Sequence, residues 1–329
     1  MPTPFRSGEL LKERYKIRRI IGQGGMGSIY LADDVRLEGR LTALKEVYHD
    51  LQLPDELHNQ ARKQFLREAT VLARLDHPNL PKVSDFFSID DRDYLVMDFV
   101  PGRDLSVLAT DARLQGTYLS ERDVLTWSAQ LADALVYLHH QSPPIVHRDI
   151  KPSNLKLTPN GVVKLVDFGL VKILASNEVT ITVVQGRGTA HYTPLEQYGS
   201  DTGHTDVRSD IFSFGATLYH LLTNHSPEEA RDRFVNPGIL LPPREINPSI
   251  SPRTDRAILW AMSLHPEERP QSMEAFRQAL LGEWNPTNRP RSALPTPTLI
   301  DLLSSPFERN LIWLSVSLLF LSLIITLAR

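Results

Sequence analysis

Ile21 to Ala32 reads IGQGGMGSIYLA, four glycines within six positions and then a β-branched and aromatic run. Glycine loses more backbone freedom on folding than any other residue, so this density needs a reason. Gly22, Gly24 and Gly27 give G-x-G-x-x-G, which serves both dinucleotide-binding turns and phosphate-covering hairpins. The next residues separate the two. A dinucleotide turn opens a helix, whereas Ser28-Ile29-Tyr30-Leu31-Ala32 has strand character and no cap. The stretch is expected to be a hairpin tip whose amides can approach phosphate oxygens, since no Cβ stands in the way. Taken alone, the loop also reads as a plain flexible turn.

Two neighbours add weight to the phosphate reading. In LTALKEVY (Leu41 to Tyr48) the alternate face that carries Leu41, Ala43 and Val47 also carries Lys45. In the helix expected from about Pro54 to Leu75, Leu57, Ala61, Phe65 and Leu72 form one apolar stripe, and Glu68 falls inside it. An unpaired buried charge is costly, so a mutual pair of Lys45 with Glu68 is expected. It reads as a structural salt bridge, or as an ammonium held ready to grip a polyphosphate.

The composition bounds the rest. The 329 residues are 41% hydrophobic and 23% charged, near the globular average. A net charge of −3 gives no support for nucleic-acid binding. The absence of cysteine excludes disulfides, thiolate nucleophiles and cysteine-based metal sites. MPTPFRSGEL has no apolar core and is not a signal peptide. Leu311 to Ala328, LIWLSVSLLFLSLIITLA, carries no charge, Pro or Gly. As a helix it spans roughly 27 Å, about the hydrocarbon thickness of a bilayer. A single-pass transmembrane helix is therefore expected over 311–328. Arg289, Arg291 and Arg309 before it favour the N-terminal side as cytoplasmic. Only Arg329 follows, so no folded domain is expected beyond the span.

Pro286 to Asn310 holds five prolines and no helical period, so 284–310 reads as an extended linker. The first hundred residues are mostly strand-like: Tyr15 to Ile21, Ser28 to Ala32, Leu41 to Tyr48 and Asp93 to Val100. From about Ser120 the period becomes helical, as in ERDVLTWSAQLADALVYLHH, SDIFSFGATLYHLLT and TDRAILWAMSLH. A β-rich front and an α-rich back suggest two lobes with a crevice between them.

Ile145 to Asn154 reads IVHRDIKPSN and Val162 to Gly169 reads VVKLVDFG. With the glycines, the strand lysine and the helix glutamate, these resemble the eukaryotic-like Ser/Thr protein kinases of bacteria. The resemblance covers about residues 15 to 281. It implies an α+β, two-lobed protein-kinase fold over 15–283, with an N-lobe to about 100, a C-lobe from 101, and 1–14 as an N-terminal extension. It further implies ATP and Mg²⁺, with Mn²⁺ as an alternative ion. Ile21, Gly22, Gly24, Gly25, Gly27, Ile29 and Ala43 would line the ATP site. Met97 would be the gatekeeper, and Asp98 to Val100 the adenine-binding hinge. Lys45 would contact the α/β-phosphates and Glu68 would orient it. Asn154 and Asp167 would hold the metal. Asp149 would take or orient the substrate hydroxyl proton, and Lys151 would steady the γ-phosphate. His147 and Phe168 resemble packing residues of the family's internal spine.

The Asp-x-Lys pattern and Gly188-Thr189 favour Ser/Thr as acceptor, so protein Ser/Thr side chains are the expected substrate. In place of the family's A-P-E stands Thr193-Pro194-Leu195-Glu196. Arg269 matches the usual partner of Glu196, and Asp210 resembles the residue that bonds the catalytic-loop backbone. YHDLQLPDELHN lengthens the stretch between Lys45 and Glu68, without a functional account. Arg148 implies an activation-loop phosphate, expected at Thr180 or Thr182, with Ser176 in the same segment. The bilayer is an expected partner, and lipid, another protein or dimerisation would carry an input signal. A silent pseudokinase scaffold and a small-molecule kinase are the rivals. Lys45, Asp149, Asn154 and Asp167 argue against the first, and the activation segment with Glu196 and Arg269 against the second.

Overall fold

The computed structural model describes residues 4–24, 27–48, 55–89, 92–167, 172–173, 189–198 and 205–282. Leu10–Leu11 (β1), Tyr15–Gly24 (β2), Gly27–Asp34 (β3) and Leu41–Tyr48 (β4) run antiparallel, each beside the next. Helix Asp55–Leu72 (α1) follows, then Val83–Ile89 (β5) and Arg92–Asp98 (β6). The sheet order is β1-β2-β3-β4-β6-β5, and α1 packs against β5 and β6. Gly24 lies opposite Gly27, so the glycines join two strands, as their flanking residues require.

Residues 4–14, from the N-terminal extension, lie along the sheet edge: Leu10 pairs with Lys16 and Leu11 with Tyr15. Leu11 joins a core of Tyr15, Ile17, Tyr30, Leu44, Phe87, Tyr94 and Val96 on the sheet face remote from α1, with Phe5 packed against it.

The helical lobe begins after the short strand Arg103–Asp104 (β7). It contains Leu105–Leu114 (α2), Glu121–His139 (α3), Val207–Thr223 (α4), Ala230–Val235 (α5), Pro243–Ile246 (α6), Pro252–Ala261 (α7) and Met273–Leu281 (α8). Helix α4 is its axis. Fourteen of its residues are buried, so it is enclosed on nearly every side, as a core helix must be. Two of its hydroxyls bond back along the helix: Ser213 donates to the Ser209 carbonyl and Thr217 to that of Ser213. Gly215 allows α7 to come close; a Cβ there would sit 2.8 Å from that of Ala261. Three helices start on side-chain caps, with Asp206, Ser251 and Ser272 each accepting from a backbone amide. Between α3 and α4 lie the strands Ile145–Val146 (β8), Leu155–Leu157 (β9), Val163–Leu165 (β10) and Lys172–Ile173 (β11). β9 is flanked by β7 and β10, and β8 pairs with β11.

Gly25, Phe168, Gly188, the activation-segment residues Ser176, Thr180 and Thr182, the linker 284–310 and the span 311–328 lie outside the described residues, as do the side chains of Leu57 and Ala61. Among the described residues no helix is long and apolar enough to cross a membrane.

Candidate active site

A cavity of about 490 Å³ opens between the sheet and the helical lobe. Ile21, Gly22, Gly27, Ile29, Ala43 and Lys45 line it from β2, β3 and β4. Met97, Asp98, Phe99 and Val100 line it where β6 hands over to the helical lobe. Asp149, Lys151, Asn154, Val166 and Asp167 close it from below. Strand alternation explains the roof. Ala43 and Lys45 face the cavity, while their neighbours Leu44 and Glu46 are fully buried on the other face. Gly27 has φ +142, and a Cβ there would meet the Glu46 carbonyl oxygen at 1.8 Å, so only glycine fits this approach.

The loop below is pinned from behind. Asp210, near the start of α4, accepts from the amides of His147 at 2.9 Å and Arg148 at 2.8 Å, and contacts His139 Nε2 at 2.9 Å. Those bonds keep it ionised below the usual carboxylate range although burial alone pushes it up. Arg148 takes a left-handed backbone at φ +68 and Asp167 at φ +71, conformations rare outside glycine. Beyond this turn Asp149 Oδ2 accepts from Lys151 Nζ and from Asn154 Nδ2, both at 2.9 Å. Asp149 Oδ1 is buried without a partner among the described residues. Lys151 Nζ also donates to Thr189 Oγ1 at 2.9 Å. One ammonium thus links the Asp149 carboxylate to the Thr189 turn, within the segment from Asp167 to Glu196.

The expected pair of Lys45 with Glu68 is not what the structure holds. Lys45 is salt-bridged to Asp167. Burial pushes the Asp167 carboxyl up, but the Lys45 ammonium and its hydrogen bond outweigh this and leave it below its ordinary value. Glu68 instead accepts from Gln64 Nε2 at 3.0 Å and feels the Arg148 guanidinium. Burial dominates there and raises the Glu68 carboxyl. The physical reason lies in the partners at hand: the buried Lys45 ammonium is neutralised by Asp167, while Glu68 on α1 sits in the field of Arg148. Arg148 is itself buried, with its guanidinium lowered by that burial and Nε lacking a partner among the described residues.

Asp167 and Asn154 offer hard oxygens, a carboxylate and an amide carbonyl, on loops. Two such protein donors fit Mg²⁺, which keeps several waters and is held mostly by substrate phosphates. Among the described residues no cluster of three or more His, Cys, Asp or Glu could form an all-protein cage.

Sequence reading missed Asp104 and Lys156. They face each other across β7 and β9, are joined at 2.6 Å, and line the cavity beside Val100. Strands of two and three residues carry no legible period, so nothing marked them. Two expected supports are present. Arg269 makes a two-point bridge to Glu196 at 2.7 and 3.0 Å, and Asp210 holds the catalytic loop.

Behind the Thr189 turn, the Tyr192 hydroxyl lies 2.6 Å from His220 Nδ1. Burial, then His191, His225 and Arg113, push the His220 imidazole down to about 4. Folded protein therefore keeps His220 neutral where the unfolded chain, near pH 6.5, already takes a proton. Stability from this group is complete above pH 6.5 and is lost as pH falls towards 4, by at most about 3 kcal/mol. Melting temperature is expected to fall from pH 7 to 4.5, and His220→Gln to flatten that slope. An unchanged slope would assign the acid sensitivity elsewhere.

The profile of the protein kinase domain family matches residues 15–281. The chain is 32% identical to the serine/threonine-protein kinase PrkC of Bacillus subtilis, over 81% of this chain and 40% of that one. It is 32% identical to the serine/threonine-protein kinase PknB of Mycolicibacterium smegmatis, over 85% of this chain and 44% of the relative. The chain spans about two fifths of the length of the curated relatives it matches. Among solved structures, the PknI kinase domain of Mycobacterium tuberculosis superposes with a TM-score of 0.64 at 26% identity, covering 85% of this chain and 100% of that one.

Proposed function

The chain belongs to the protein kinase domain family, and on that premise we propose that it transfers the γ-phosphoryl group of ATP to Ser and Thr hydroxyls of proteins. The observation that carries this is the convergence of Lys45, Asp149, Lys151, Asn154 and Asp167 on one cavity. Phosphoryl transfer needs little covalent chemistry from a protein; it needs positioning and neutralisation of charge. Asp149 is held by Lys151 and Asn154 through Oδ2, which leaves Oδ1 to take the hydroxyl proton of the acceptor. Lys151, tethered to Asp149 and Thr189, supplies positive charge beside the transferring group. Asn154 and Asp167 would hold Mg²⁺, or Mn²⁺ in its place. The ion would offset phosphate charge. Lys45 grips the phosphates once it exchanges Asp167 for Glu68, and α1 must shift for that exchange.

Regulation follows from the same charges. A phosphate on Thr180 or Thr182 is proposed to draw Arg148 away from Glu68, which frees Glu68 for Lys45. The apolar run 311–328 is proposed to anchor the protein in a bilayer with the kinase domain in the cytoplasm, and lipid, another protein or dimerisation to carry the input. The test is to incubate the full chain with ATP, Mg²⁺ and peptides bearing Ser, Thr or Tyr, and to read products by mass spectrometry. Phosphate is expected on Ser and Thr peptides and on Thr180 or Thr182. Failure to phosphorylate any hydroxyl overturns the proposal. Deleting 311–329 should release the protein from the membrane fraction and leave peptide phosphorylation intact.

A further inference from the structure

Lys45 has a neighbour that the proposed reaction leaves unused. Glu46 is fully buried on the opposite face of β4, inside the sheet that roofs the cavity. Its carboxylate accepts from the Tyr30 hydroxyl at 2.8 Å, from Arg92 Nη1 at 2.9 Å and from the Tyr94 hydroxyl at 3.2 Å. Tyr30 stands on β3 and both Arg92 and Tyr94 on β6, so one carboxylate ties three adjacent strands together. A buried charge is tolerable only when so satisfied.

The clamp has a lid from the chain's own N-terminal segment. The Phe5 ring lies 5.5 Å from that of Tyr30 and 5.9 Å from that of Tyr94, and the Arg92 guanidinium sits 5.8 Å over Phe5. The Phe5 amide donates to the Tyr30 hydroxyl at 3.3 Å, and that hydroxyl donates to Glu46. The segment is sewn down by Gly8 N to Ile17 O at 2.7 Å, by Ile17 N to Glu9 O at 2.8 Å, and by β1. On the cavity side, the Glu46 carbonyl is where Gly27 of the phosphate-facing hairpin makes its close approach. A continuous path of contacts therefore runs from Phe5 to the glycine hairpin and to the strand that carries Lys45.

We propose that residues 4–14 are a strap that sets nucleotide affinity, with Phe5 and Glu46 as positioning residues for Lys45 and the glycine hairpin. The inference rests on the kinase reading for the identity of the nucleotide. Loss of the strap loosens β3 against β4, and the hairpin and Lys45 then hold the triphosphate less often in the gripping geometry. Chemistry on bound nucleotide is unaffected, because Asp149, Lys151 and Asn154 belong to the other lobe.

The test uses the full chain and three variants: Phe5→Ala, Phe5→Tyr and Glu46→Gln. Three quantities are measured: Kd for ATP with Mg²⁺, peptide phosphorylation at saturating ATP, and melting temperature. Phe5→Ala is expected to raise Kd about threefold to tenfold, the worth of an aromatic contact. Its kcat at saturating ATP should stay within about twofold of wild type. Phe5→Tyr, which keeps the ring, should restore Kd, and Glu46→Gln should weaken binding at least as much as Phe5→Ala. An unchanged Kd in Phe5→Ala together with a lowered melting temperature overturns the strap and leaves an ordinary core. Should Glu46→Gln fail to fold, Phe5→Ala alone decides. Wild type that binds ATP but transfers no phosphate overturns the kinase reading, and the strap is then judged on Kd. Wild type that binds no ATP overturns both.

Discussion

Replacing Asp149 by Asn lowers the phosphoryl-transfer rate by about 10²–10⁴, the usual worth of a positioned acid or base. The residue is 8% exposed and its two oxygens have separate duties. Oδ2 holds the loop together through Lys151 and Asn154, and Oδ1 is buried with no partner among the described residues. An amide keeps the size of the side chain and one acceptor, so the loop, still pinned by Asp210, holds its place. What disappears is the negative charge and the basic lone pair of Oδ1 that is proposed to take the proton. Kd for ATP should change little, because the proposed nucleotide grip comes from the sheet, through Lys45 and the glycines. The measurement is single-turnover peptide phosphorylation, with nucleotide titration as control. A rate within tenfold of wild type would remove Asp149 from the chemistry. A large rise in Kd would recast it as a binding residue.

The second large effect falls on stability. Arg269 is fully buried, one of the largest side chains among the described residues to be so. It bridges Glu196 by two hydrogen bonds, donates to the carbonyls of Ser263 at 2.7 Å, Leu264 at 2.9 Å and Arg208 at 3.1 Å, and lies 4.9 Å over the Phe212 ring. Arg269→Ala strips all of these and leaves Glu196, a carboxylate 8% exposed, without its cation. Breaking one side of a buried pair costs about 3–5 kcal/mol. Whole-domain stabilities are about 5–15 kcal/mol, so a fifth or more is lost. A drop in melting temperature of about 10 °C is expected for a domain of this size. Ser209 Oγ, which donates to Glu196 at 2.8 Å, offsets only part of the loss. Glu196→Gln should cost less, since the amide still accepts from Arg269. A loss below about 1 kcal/mol for Arg269→Ala would mean that water replaces the guanidinium.

Much of this was legible because it is local. The glycine hairpin follows from what stands directly after Gly27, and the loop chemistry from Asp149, Lys151 and Asn154 lying within six residues. The apolar face of β4 placed Lys45 correctly. Its partner was not legible, because Asp167 stands 122 residues away in the sequence, and no local pattern sets it against Glu68. Nor was the strap. β1 is two residues long, too short to show a period, and Phe5 gains its meaning only when β3 and β6 bring Tyr30 and Tyr94 side by side. Asp104 and Lys156 were hidden for the same reason. Glu196 and Arg269 were found because a motif names them, although 73 residues separate the two.

The bridge between Lys45 and Asp167 has a pharmacological consequence. A flat heteroaromatic inhibitor seated only against Met97 to Val100 leaves that bridge undisturbed, and so gathers molecules into the present arrangement of α1. If Lys45 grips the phosphates as proposed, a triphosphate mimic pulls the same bridge apart, and its affinity is reduced by the work of doing so. Two compound classes that compete for one cavity thus report on opposite settings of the enzyme.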